Sequence, residues 1–218
     1  MKLLAVRTAR SIWLMPWYFL NPKGRFIRPA IEAMRARYSF LKAPLDAPFP
    51  MPNEGIKFEQ GAFNGKNGMV QILSLTLHND GVVIDVRSST DDADLFMEDV
   101  VAWANKEYGM PAVSELPSTR LYVSELNVAF QKLPAIFNPK LAPLFAEVSA
   151  AIADKTQGNA DFLSVQLSTD PTKTNRQSSF RVDREVNTPF EENRYYSFAS
   201  TKTDMHIRLL ERLEELSV

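Results

Sequence analysis

The chain predicts an α+β fold: a mainly antiparallel sheet with packed helices and a basic, helical N-terminal arm. Residues 55–88 read as a three-stranded meander, and an amphipathic helix follows at once. Residues 1–42 hold nine basic side chains against one acidic, while the other 176 hold sixteen against twenty-five. That is +8 against −9 inside a net charge of −1.

Gly55–Phe63 alternates Ile56, Phe58 and Gln60 with Lys57, Glu59 and Gly61, the period of a strand with one apolar face. Asn64-Gly65-Lys66-Asn67-Gly68 has turn chemistry, Met69–Leu77 is a second apolar-rich strand, and Val82–Arg87 is a third. Asn79-Asp80-Gly81 between them signals a hairpin, with the glycine supplying positive φ. Ser88–Asp94 offers hydroxyls and carboxylates to a helix start, and Phe96, Val100, Trp103 and Tyr108 keep helical spacing. Gly109 and Pro111 end that helix.

Before the meander, Met1–Leu20 mixes arginines with Trp13, Trp17, Tyr18 and Phe19, as a strand or irregular segment whose aromatic rings need burial. Phe26–Tyr38 reads as a helix with Ile27, Ile31, Met34 and Tyr38 on one face. Four prolines within residues 43–54 favour extended chain, a strap or linker. The expected organisation is therefore a basic aromatic arm over 1–42, a proline-rich connector over 43–54 and an acidic α+β body over 55–218.

Within the body, Thr119–Phe130, Phe162–Leu167, Ser178–Val186 and Arg194–Ser200 read as further strands. Leu141, Leu144, Phe145, Val148 and Ile152 follow the spacing of a helix that buries one face. Ile207, Leu210 and Leu213 line a C-terminal helix.

Zero cysteines exclude disulfides and thiolate chemistry and fit a reducing cytoplasm. The uncharged run Ser11–Leu20 is about half of the roughly 20 residues a bilayer span needs. The N-terminus does not follow a signal peptide's order. A soluble, cytoplasmic chain is expected, with an integral membrane role disfavoured.

The chemistry-bearing candidates are few. Asp91, Asp92 and Asp94 could bind a hard cation, but the same carboxylates suit a helix start, where the dipole favours negative charge. His78 and His206 are the only histidines and lack a nucleophile elbow, so structural roles are expected of both. Gly61–Gly68 lies between strands and reads as a hairpin, not a phosphate cradle. The loop Ser168–Arg176 is expected to be a surface loop.

The arm is the remaining candidate. Arg7, Arg10, Arg25, Arg28, Arg35 and Arg37 interleaved with Trp13 and Trp17 suit a protein interface. They also suit phosphate contact with base stacking, or a membrane headgroup zone. Alternatively the apolar side chains complete the domain's own core. The leading expectation is a non-catalytic interaction or assembly protein, self-associating or with a protein partner. Its basic arm would dock on an acidic surface of its own or of a neighbouring subunit. Nucleic-acid binding through the arm is the alternative, and a metal-dependent enzyme built on the aspartates the next. No cofactor is expected.

Overall fold

A computed structural model of the chain describes residues 1–21, 24, 28–44, 55–116, 118–131, 142–152, 164–173 and 178–216. In chain order it runs β1 (Lys2–Leu14), α1 (Trp17–Leu20), α2 (Arg28–Arg37), β2 (Ile56–Gly65), β3 (Gly68–His78) and β4 (Gly81–Val86). It continues α3 (Thr90–Tyr108), β5 (Thr119–Ala129), α4 (Ala142–Ile152), β6 (Ser164–Ser168), β7 (Ser179–Arg184), β8 (Arg194–Ala199) and α5 (Thr203–Glu215). The strand order is β2-β3-β4-β1-β5-β8-β7-β6, with β1–β4, β2–β3, β3–β4, β6–β7 and β7–β8 paired antiparallel. The fold is thus a mixed α+β one with an antiparallel sheet.

Two compact units divide the chain. The first comprises Val6–Ser124 and Ser200–Thr203, the second Met1–Ala5, Glu125–Ala199 and Asp204–Val218. The expected boundary between arm and body at residue 42 falls inside the first unit, and the connector from residue 45 to 54 lies outside the described residues.

In the first unit the meander forms as its alternation predicts. β2 pairs with β3 from Ile56 opposite Leu77 to Gly65 opposite Gly68, and β3 pairs with β4 through Leu75 opposite Ile84. β1 then joins β4, from Ala9 opposite Val86 to Leu14 opposite Gly81. Lys2–Leu14 is a strand of the sheet, the first of the two forms expected of Met1–Leu20. The reason is its period of two: Ala9, Ser11, Trp13 and Met15 are all buried.

Gly81 has a different purpose from the one expected. Its φ is not positive, and neither Asn79 nor Asp80 is left-handed. A Cβ at Gly81 would sit 2.6 Å from the Trp13 carbonyl oxygen, so the glycine admits β1 beside the hairpin.

α2 turns Ile31 and Met34 inward, and buried Tyr38 follows it, as the helical spacing predicts. Tyr38 meets Phe96 edge-on at 4.9 Å, Phe40 lies 5.2 Å from Phe58, and Phe63 is 5.5 Å from Phe96. Such edge and tilted pairs add to the burial of the rings themselves. α3 starts at an extended Ser89 whose hydroxyl accepts the Asp92 N–H and ends on left-handed Gly109. Its buried face of Ala93, Phe96, Met97, Val100 and Val101 completes this core.

In the second unit β6, β7 and β8 pair in that order, with Ser164 opposite Asp183 and Phe180 opposite Ala199. Tyr195 stacks edge-on to Phe130 at 5.2 Å, and the Arg184 guanidinium lies over its ring at 5.0 Å. Leu210 and Leu213 of α5 are buried. The Glu214 carboxylate accepts the Gln131 N–H at 2.5 Å and pairs with the Met1 amine. α4 departs from expectation. Its spacing predicts a buried face; Leu144 and Val148 of that face are 50% and 42% exposed, and Leu141 and the side chains of Phe145 and Ile152 lie outside what is described.

Candidate functional site

The three aspartates of α3 share a turn of sequence and no common point in space. Asp91, in the first turn, bonds the Lys202 ammonium at 2.6 Å. Asp92 accepts from the Ser89 hydroxyl at 3.0 Å and donates its backbone N–H back to it at 3.1 Å. Asp94 faces inward instead. Among the described residues no group of three or more His, Cys, Asp or Glu could hold a metal ion.

Asp94 anchors a polar network in the first unit. Its Oδ1 accepts from the Ser11 hydroxyl at 2.5 Å and from Trp13 Nε1 at 3.0 Å. Its Oδ2 accepts from the Tyr122 hydroxyl at 2.8 Å and lies 3.5 Å from Arg120 Nη1. The Arg120 guanidinium also sits 4.0 Å above the Trp13 ring, while its Nη2 reaches Glu98 at 3.3 Å. Burial, then the bond to Asp94, raises the Tyr122 pKa above the usual phenol range. A carboxylate with three hydrogen-bond donors and a guanidinium has its acceptor sites occupied. The arrangement fixes β1 and β5 side chains to α3.

The basic residues of the N-terminal segment meet acids in the same unit. Arg10 grips Asp85 through Nε at 2.6 Å and Nη2 at 2.9 Å, and Ser74 Oγ donates to Asp85 at 3.0 Å. Arg37 Nη2 contacts both Asp99 oxygens at 3.0 and 3.3 Å, and the Tyr38 hydroxyl bonds Asp99 at 2.6 Å. Desolvation, reinforced by that bond to a carboxylate, holds the Tyr38 phenol well above its ordinary range. Lys42 lies 3.6 Å from Glu59, and Arg28 pairs with Glu32 one turn along α2 at 3.4 Å. Arg7 and Arg35 are exposed.

Trp13 is 0% exposed, so its ring belongs to the core. Trp17 opens the short helix α1, and Arg25 lies outside the described residues. The arginines and tryptophans expected to form one surface are therefore divided between buried contacts, ion pairs and separate elements.

His206 is also 0% exposed. Its Nε2 is 2.8 Å from Ser197 Oγ, and that hydroxyl lies 2.8 Å from the Arg181 carbonyl oxygen, to which it donates. A hydroxyl has one proton, so Ser197 accepts from the imidazole N–H. A general base needs the opposite polarity. Burial pushes the imidazole down to about 4 and keeps it neutral. This is a structural pair, closed on one side by the edge of Phe180 with ring centroids 5.9 Å apart.

Surface chemistry gathers in the second unit. α4 has one charged residue, Glu147, and every described side chain on it is exposed. Leu167 on β6, with Met205 and Leu209 on α5, adds exposed apolar surface. Sequence reasoning missed Asp85, Asp99, Arg120 and Tyr122 as partners. One signal was present, because a carboxylate inside the apolar strand Val82–Val86 requires a cation or donors.

No protein-family model, curated protein or solved structure matches this chain. Among the described residues no helix is long and apolar enough to cross a membrane.

Proposed function

We propose that this chain is a non-catalytic interaction or assembly protein, self-associating through its second unit, with its basic N-terminal segment seated on acids of its own body. The observation that carries the reading is α4. On its described face Leu144 and Val148 stand 50% and 42% exposed, with Glu147 the one charged side chain between them. Exposed apolar surface of that kind marks an interaction face.

Two further observations support the reading. The polar clusters that resemble chemistry are internally satisfied: Asp94 by Ser11, Trp13 and Tyr122, and Ser197 by His206 and Arg181. The pairs Arg10–Asp85, Arg37–Asp99 and Lys42–Glu59 join the basic segment to acids within one chain. Nucleic-acid binding loses Trp13 as a stacking surface, since that ring is in the core.

Solution mass of the full chain, measured over a wide concentration range, tests the proposal. Assembly predicts a weight-average mass rising above the 24.7 kDa of one chain. A monomer at every concentration overturns self-association. Deleting residues 1–42 is no substitute, because it removes β1 from the sheet.

A further inference from the structure

We propose that β6 is the edge through which two copies of this chain pair, strand against antiparallel strand, about a two-fold axis at Gln166. The inference rests on the assembly reading above and names its partner and surface.

The strands that end the sheet order are treated differently. β2 is defended in the ways edge strands usually are. It carries Lys57 and Glu59, paired at 2.6 Å, and a left-handed Gln60 with φ of 58°. Residues 38–42 cover its main chain. Leu41 N–H donates to the Gln60 carbonyl at 3.2 Å, Lys42 and Glu59 exchange bonds at 3.3 and 2.9 Å, and Ala62 N–H reaches the Tyr38 carbonyl at 2.8 Å.

Among the described residues β6 has one strand neighbour, β7. Its five residues, Ser164-Val165-Gln166-Leu167-Ser168, include no charge, no proline and no left-handed residue, and Leu167 is 64% exposed. The charges of this region sit one strand inward, where Arg181 and Asp183 of β7 pair with each other at 2.6 Å.

The choice of a second copy comes from the sequence of β6 itself. Reversed, the segment is nearly unchanged. An antiparallel pairing centred on Gln166 sets Ser164 opposite Ser168, Val165 opposite Leu167 and Gln166 opposite its counterpart. Small faces small, aliphatic faces aliphatic, and no like charges meet. A two-fold contact of this type uses the same patch on both chains and closes at a dimer. An unrelated partner strand would require no such symmetry. Five residues on each side bury less than a standard stable interface, so pairing is expected to be weak and dependent on concentration.

Sedimentation velocity of the full chain, over about a hundredfold concentration range, tests this with Q166K and Q166E. Gln166 is exposed, and a thermal melt checks that each variant stays folded. The wild type is expected to dimerise. Each variant alone sets like charges together on the axis and weakens the dimer about fivefold or more. An equimolar mixture of the two restores it, because the charges then oppose. Association unchanged in both variants overturns pairing through β6 while leaving assembly by another surface intact. A mixture no better than either variant overturns the register through Gln166. A wild-type monomer throughout removes both this inference and the assembly reading.

Discussion

Arg10 and Asp85 stand directly opposite each other on β1 and β4, joined by two hydrogen bonds of 2.6 and 2.9 Å. The pair meets the carboxylate's need for donors in an otherwise apolar strand and fixes the register in which β1 joins the meander. Arg10→Ala leaves a largely buried carboxylate with Ser74 as its remaining side-chain donor, and a cost of roughly 2 kcal/mol is expected. Adding Asp85→Ala should recover part of that loss. Urea unfolding at two protein concentrations checks it, because a contact within one chain gives the same loss at both.

Asp94→Ala should be the most damaging single change in the first unit. It removes the acceptor of the Ser11 and Tyr122 hydroxyls and leaves Trp13 Nε1 with only Ser11 Oγ, at 3.2 Å. The expected loss is about 3 kcal/mol or more. Denaturant unfolding measures it, and a shift in tryptophan emission reports the changed surroundings of Trp13.

His206 makes stability depend on acidity. Its folded pKa of about 4 lies below its ordinary value of 6.5, so the unfolded chain binds the proton more readily. Stability from this group is therefore complete above pH 6.5, declines as pH falls and levels off below about pH 4. The difference amounts to roughly 3 kcal/mol. His206→Gln should flatten the decline between those limits. Unfolding free energies at pH 7 and pH 5 make the comparison.

Gly81→Ala should destabilise although no left-handed φ is involved. The added methyl would meet the Trp13 carbonyl oxygen at 2.6 Å and force β1 away from β4. Gly68→Ala is the informative contrast. Gly68 has a φ of +119° and nothing within 4 Å, so its cost comes from backbone strain alone. In amide exchange, the first change should weaken protection along β1, and the second should act only at the β2–β3 turn.

Ser89→Ala removes the hydroxyl that accepts the Asp92 N–H at the start of α3. A loss of about 1 kcal/mol is expected. Replacing Ser88 should cost less, because its hydroxyl has no hydrogen-bond partner. Thermal melts of the two variants test the assignment of the cap.

Local periodicity was sufficient for the meander, for α2 and for α3 with a start within Ser88–Asp94 and an end at Gly109. Alternation at two and spacing at three to four are properties of neighbouring residues, and neighbouring residues alone decide them. The faces of α2 were legible in the same way, with Ile31, Met34 and Tyr38 inward.

Only tertiary structure decided where β1 goes and what its basic residues meet. The charge count gave nine basic residues against one acidic over 1–42. It held no information that Arg10 would face Asp85 or Arg37 reach Asp99, pairs separated by 75 and 62 residues. Such pairs arise from strand register and helix packing, which depend on contacts far apart in the chain. The same cause separates Asp91, Asp92 and Asp94. Adjacent on the helix, they point to Lys202, to Ser89 and into the Trp13 network, because successive side chains leave a helix about 100° apart. The apolar spacing of α4 was equally plain in the sequence, but exposure is set by what packs against a face, and the face itself does not determine that.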